Sequence, residues 1–199
     1  MSKLKLIIYP APSLQKPSIK VTDFVVAKKL VPDMIDTMNS AKGIGLAAVQ
    51  IGQSIRLAIV NKDADESLKE HLVIINPKIF SASSEIDTEE EGCLSIPGKT
   101  CLVPRHRKIK IRYTDVSGQE QKLKATGLFA RVIQHEIDHL DGVLIIERTM
   151  KMIKGQTKAA IAEGLADYRA GRVAGPYKNM AEFKASRQKR KTLGSILEK

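Results

Sequence analysis

The chain has 199 residues, with 33 Lys and Arg against 22 Asp and Glu, a formal charge of +11, and 43% hydrophobic and 28% charged residues. That balance excludes wholesale disorder, a collagen-like repeat and a disulfide scaffold, and a chain this long buries roughly 70% of its unfolded surface, enough for one core without covalent staples. No run approaches the ~18 apolar residues of a membrane helix, and Met1 to Pro10 lacks the apolar stretch and small-residue cleavage site of a secretory signal. Cys93 and Cys101 are therefore expected as reduced thiols of a cytoplasmic protein. The charge excess fits either an anionic partner or a soluble basic surface. With no Trp, four Phe and four Tyr, the chain has little material for a base-stacking platform.

In chain order, Leu4 to Tyr9 is short and β-like and ends in Pro-Ala-Pro. Thr22-Asp23 can cap a helix whose apolar positions, Leu30, Met34, Ile35 and Met38, follow helical spacing. Pro32 either kinks that helix or opens a second one. Ile55 to Val60 and Leu72 to Pro77 are β-branched runs bounded by turn residues. Lys108 to Tyr113 alternates strictly and pairs through Asp115-Val-Ser-Gly118 with Gln119 to Ala125, a hairpin. A helix follows, with Thr126 as N-cap and Gly142 just past its end. Strands first and a helix after them, without βαβ alternation, predict an α+β fold in which antiparallel strands accompany one central helix. From about Lys151 the chain turns helical, polar and then basic. Residues 171–199 hold eight Lys or Arg and two Glu, net +6, so the expected organisation is a body over 1–170 and a basic C-terminal extension over 171–199.

The strongest chemical signal is His135-Glu136-Ile137-Asp138-His139 on the last of these helices. Two imidazoles four residues apart share one helical face and can bind one metal ion. Glu136, one step round, can take a proton from a water held there. The helix is apolar nearly all round, and two histidines with a carboxylate in such a setting favour a metal over a purely structural role. A third ligand is needed. Glu163, followed by Asp167, has the spacing of one metallopeptidase class, whereas Cys93 in Glu91-Gly-Cys-Leu-Ser95 offers a thiolate. A further segment, Gly43-Ile-Gly-Leu-Ala-Ala-Val-Gln50, pairs small residues with one polar side chain, which suits close backbone approach and a hydrogen bond to developing negative charge.

Taken together, Gly43 to Gln50, Glu91 to Ser95 and Gln134 to His139 resemble the three signature motifs of the peptide deformylases, in the same order, over roughly residues 4–150. The resemblance implies an α+β fold with strands around a helix bearing HExxH, and removal of the formyl group from N-formylmethionyl nascent peptides. It implies that Cys93, His135 and His139 hold the metal, Fe2+ foremost although Zn2+ suits the same donors. Glu136 would move the protons, and Gln50 with the backbone N–H of Leu94 would hold the oxyanion. Gly45 would pair with the peptide backbone, while Ile44, Leu128 and Val132 would line the methionine pocket. Where several relatives carry an Arg near position 100, this chain has Lys99-Thr100, and Arg105 is placed to pair with Glu91 behind the metal. Cys101 is expected as a buried bystander, and His71 and His106 as surface residues. The basic extension is a candidate contact to the ribosome, and no membrane partner is expected.

Overall fold

The computed structural model describes residues 4–169. Two compact units divide the chain between Met152 and Ile153. The first holds all the strands described below. The first helix, α1 (Phe24–Ser40), starts where Asp23 accepts hydrogen bonds from the N–H groups of Val25 (2.9 Å) and Val26 (3.1 Å). Pro32 lies inside it, and the helix runs on as one element. Pro32 is exposed, and so is Lys28, whose carbonyl loses its i+4 donor to the proline, so the missing bond falls on the solvent side of the helix. Ala27, Met34, Thr37 and Met38 form the buried stripe.

Five strands form one antiparallel sheet in the order β1 (Gly45–Ala47), β2 (Leu57–Val60), β3 (Leu72–Ala82), β6 (Lys108–Thr114) and β7 (Glu120–Thr126). A separate hairpin pairs β4 (Ile86–Cys93) with β5 (Ile96–His106). Strand β3 extends well past the expected end at Pro77, because a register shift between Ile75 and Lys78 absorbs the proline that cannot donate to the ladder. Leu4 to Tyr9 joins neither sheet. Its N–H groups go to three different places, Leu4 to Thr37 Oγ1 (3.0 Å), Ile7 to the Gln50 carbonyl (2.7 Å) and Tyr9 to the Ser95 carbonyl (2.9 Å), so it straps separate segments instead of laddering along one.

Helix α2 (Gly127–Leu140) packs on one face of the sheet, in a core of Ile74, Ile109, Ile111, Phe129, Ile133, Ile137 and Leu140. Helix α1 covers the opposite face only over β1, β2 and the start of β3, where Met34 and Met38 meet Leu46, Leu57, Ile59 and Ile75. Strand β2 is consequently buried on both faces, whereas β6 alternates buried and exposed. Thr126 sits at the N-cap position of α2 without a side-chain cap bond. At the other end Gly142 (φ +74°) closes the helix, with Val143 N–H donating to Asp138 O (2.8 Å) and Gly142 N–H to His139 O (3.2 Å). A Cβ there would stand 2.8 Å from backbone carbons of Gln15 and Lys16, so both conformation and packing call for glycine.

A third helix, α3 (Ile145–Arg169), closes the described residues. No helix among them is long and apolar enough to cross a membrane. Residues 171–199, the basic extension, lie outside the described residues.

Candidate metal centre

The centre forms where the β4–β5 turn meets one face of α2. Cys93 ends β4, and His135 and His139 sit one helical turn apart on α2 with ring centroids 4.9 Å apart. Their donor atoms, with the Cys93 sulfur, all lie within 4.8 Å of one another. Cys93 Sγ is 3.2 Å from His139 Nε2 and also receives a long contact from the Gln50 amide (3.7 Å). Thiolate and imidazole are donors that suit a divalent transition metal. Glu163 and Asp167, the other ligand candidates, have side chains outside those described.

Electrostatics fit the same reading. Burial, then the charges of His135 and Arg105, hold His139 well below its usual pKa, so it stays a neutral ligand. Burial also opposes charge on His135, but hydrogen bonds with Cys93 and Glu91 outweigh it and raise its pKa to about 10. The buried Oε2 of Glu136 has no hydrogen-bond partner. Burial, helped by the charge of Glu91 and opposed by that of His135, pushes this carboxyl up to about 7, where it can both accept and return a proton near neutral pH.

Behind the ligands lies a buried ion network. Arg105 donates to both oxygens of Glu91 (2.9 and 2.8 Å), the pairing expected from the sequence, and also pairs with Asp138. His135 Nδ1 contacts Glu91 Oε2 at 2.9 Å, leaving its other nitrogen for the metal side. Burial works against charge on Glu91, yet its hydrogen bonds with Arg105 and His135 hold it far below the usual carboxylate range. Two further arginines join. Arg131 donates to Glu91 Oε1 (2.7 Å), Val103 O (3.0 Å) and Asp87 O (2.9 Å), and Arg148 of α3 pairs with Asp138. Neither arginine was among the expected site residues. The available signal was Arg131 itself, a basic residue flanked by apolar neighbours four residues before His135.

A cavity of about 750 Å3 opens beside the cluster and is lined by Ile44, Gly45, Gln50, Cys93, Leu94, Leu128, Val132, His135 and Glu136 among others. With buried His139 in the cluster, the structure brings every expected site residue to this one place. Gln50 is 1% exposed and locked: its carbonyl oxygen accepts from Ala47 N–H (2.8 Å), and its amide nitrogen donates to Ser95 Oγ (3.2 Å). A Cβ on Gly45 would collide with the Glu136 carboxylate, which explains the glycine. Strand β1 pairs only with β2 and is an edge of its sheet, flanking the cavity. On the other wall the register jumps from Cys93↔Ile96 to Gly92↔Thr100, so Pro97, Gly98 and Lys99 bulge into the lining. Cys101 is half-buried against a small core cluster instead of fully buried, because its strand lies in the two-stranded hairpin. His106 is exposed, and half-buried His71 accepts a hydrogen bond from Lys62 N–H (3.1 Å).

Comparison with known proteins converges on one family. A peptide deformylase of Desulfotalea psychrophila is 40% identical over 163 residues, covering 81% of this chain and 96% of that one. The crystal structure of peptide deformylase from Thermotoga maritima superposes with a TM-score of 0.69 at 37% identity, over 74% of this chain and 98% of the other. A Met-Ala-Ser-bound class I type b peptide deformylase from Acinetobacter baumannii does so with a TM-score of 0.69 at 31% identity, over 74% and 98%. The family model for polypeptide deformylase spans residues 3–155, which contain the cluster, the cavity and the free edge of β1, and the chain belongs to that family.

Proposed function

We propose that this chain is a metal-dependent hydrolase that removes the formyl group from N-formylmethionyl nascent peptides and releases formate. The observation that carries the reading is the juxtaposition of three metal-ligating donors with an unpartnered carboxylate, Glu136, in a cavity beside an open sheet edge. Cys93, His135 and His139 hold the metal. Ferrous iron is the ion implied by the family resemblance, and zinc suits the same donors. When bound, the ion supplies Lewis acidity toward the formyl oxygen and toward water.

The rest of the chemistry belongs to the chain. The peptide lies along the free edge of β1 and pairs with Gly45, while Ile44, Leu128 and Val132 enclose the methionine side chain. Oε2 of Glu136 takes a proton from water as the oxygen attacks the formyl carbon, and Glu136 then gives that proton to the nitrogen as the C–N bond breaks. Formate and a free amino terminus result. The Gln50 amide nitrogen and the Leu94 N–H donate to the oxygen that gains charge, each such donor contributing about 3 kcal/mol in comparable sites. Met-Ala-Ser, the peptide bound in the Acinetobacter relative, has the form of such a product.

The catalytic body comprises residues 1–170, and the extension over 171–199, net +6, contacts the ribosome in the cytoplasm, where nascent chains emerge. The deciding experiment is formate release from formyl-Met-Ala-Ser. Wild-type protein purified without oxygen should release it, Glu136→Ala should lose at least about 100-fold while retaining its metal, and metal analysis identifies the ion. Turnover that survives Glu136→Ala would refute the reading.

A further inference from the structure

The outer face of β3, β6 and β7 is the part of the large sheet that α1 leaves uncovered. On β6, Ile109 and Ile111 point into the α2 core, so Lys108, Lys110 and Arg112 point outward and are exposed. The ladder sets Lys124 opposite Lys110, Lys122 opposite Arg112, and Lys78 of β3 opposite Arg112 on the other side. All three partners are exposed as well. The acid on this face is Glu120, 3.6 Å from Arg112. Among the described residues, no acid pairs with Lys78, Lys108, Lys110, Lys122 or Lys124. The one large exposed apolar side chain here, Phe80, lies beneath the Arg112 guanidinium at 5.6 Å.

Like charges directly across a ladder destabilise it. Lysines on β7 have an ordinary use, because a charged edge strand resists pairing with other chains. That explanation does not reach β3 and β6, which are interior strands of the sheet. Three directly opposed cation pairs thus involve strands that need no edge protection, and each costs stability unless something anionic covers them.

We infer that this face docks on the phosphate backbone of structured RNA. Strands about 4.8 Å apart, with outward residues about 6.8 Å apart along each, hold the cations as a fixed two-dimensional array. Such an array gains by releasing counterions from a dense line of phosphates. A lipid surface is the poorer match, since membrane-lying faces insert several apolar side chains and Phe80 is already engaged by Arg112. The face reads charge and not sequence, because it presents neither a recognition helix nor a row of aromatics. The choice of RNA over DNA rests on the deformylase reading, whose substrates are nascent chains made on RNA. None of these residues lines the catalytic cavity, so docking and turnover are separable.

The test titrates a fluorescent RNA hairpin with the full chain over a range of salt. Replacing Lys110, Lys122 and Lys124 together by Gln should weaken binding at least about tenfold near 100 mM salt and reduce the slope of log affinity against log salt by about 2 to 3. Formyl-peptide turnover should not change, and the thermal midpoint should hold or rise as opposed charges are removed. A control triple, Lys16→Gln, Lys20→Gln and Lys28→Gln, removes the same charge elsewhere and should weaken binding less than about twofold. If the sheet triple unfolds, Lys110→Gln alone should still lower the slope by about 1. Unchanged affinity and slope overturn the proposal, as does an equal loss in the control triple. Tighter binding to phosphatidylserine vesicles than to RNA, abolished by the sheet triple, would replace RNA with membrane. A wild-type chain that releases no formate refutes the deformylase reading and leaves the hairpin titration to decide this one.

Discussion

Two regions of this molecule concentrate charge in opposite ways. Behind the metal ligands, Glu91, Arg105, Arg131 and Asp138 are each 4–6% exposed, and each is hydrogen-bonded to a charge of opposite sign. On the outer sheet face, Lys78, Lys110, Arg112, Lys122 and Lys124 stand in water, opposed mostly to one another. Buried charge requires compensation at every atom, so the network fixes geometry, and what it fixes is the tilt of His135. Exposed charge tolerates disagreement because water screens it, so the face stores affinity for a partner and imposes little on the fold. The same residue types thus serve to build a site in one place and to solicit contact in the other.

Removing one charge from each region separates their behaviour most strongly. Glu91→Gln keeps the shape but leaves Arg105 and Arg131 facing a neutral amide, with Asp138 the one buried acid still paired to Arg105. Losing one member of a buried pair costs about 3–5 kcal/mol. Lys110→Gln on the sheet should change stability by no more than about 0.5 kcal/mol. Urea unfolding of the two variants, both stripped of metal, measures the difference. Equal losses would show that the network is no more demanding than the surface.

A finer cut is Arg131→Lys. Its guanidinium serves Glu91, Val103 O and Asp87 O from a planar fork, and also reaches the exposed Glu89 carboxylate at 3.0 Å. An ammonium keeps the charge and loses the fork. Because Arg131 acts on His135 only through Glu91, the expected effect is modest: metal transfer to a chelator about tenfold faster, the low end for residues behind a ligand. Unaltered metal release would mean that Arg105 alone fixes Glu91.

This contrast also marks what could be read from the sequence. The site was largely legible, because HExxH and the two short motifs state their chemistry in residue types at fixed spacing. The α+β class followed from β-branched runs, strict alternation in Lys108 to Tyr113 and the apolar helix. The β4–β5 hairpin was not read as strands. Pro97 and Pro104 interrupt β5, and Asp87 to Glu91 present four acids in five residues, so neither strand shows an apolar alternation. Arg105 and Arg131 tie its two strands together behind the site, and buried ion pairs between distant residues have no periodicity to detect. Pro32 was ambiguous for the reverse reason: local propensity cannot tell that the proline falls on the solvent side of α1.

The smallest expected effect lies in the turn of the β6–β7 hairpin, the same hairpin that carries most of the cations of the outer sheet face. Asp115 accepts hydrogen bonds from Ser117 Oγ (2.6 Å), Gln121 Nε2 (2.8 Å), Gln119 N–H (3.0 Å) and Ser117 N–H (2.9 Å). The Ser117 hydroxyl first, then the Gln121 amide and the Gln119 N–H, lower its pKa from 3.8 to about 2. A carboxyl depressed in the folded state binds fewer protons there than in the unfolded chain, so it stabilises the fold above about pH 4. That contribution fades as pH falls through the folded value near 2. Because the group is solvent-exposed, the effect is far smaller than that of Glu91. Urea midpoints of wild type and Asp115→Asn, followed from pH 6 downward, should differ slightly at the top of the range and converge as the pH approaches 2. A gap that persisted undiminished at low pH would show that Asp115 holds the turn by shape and not by charge, and the exposed region would then resemble the buried one more than its solvation suggests.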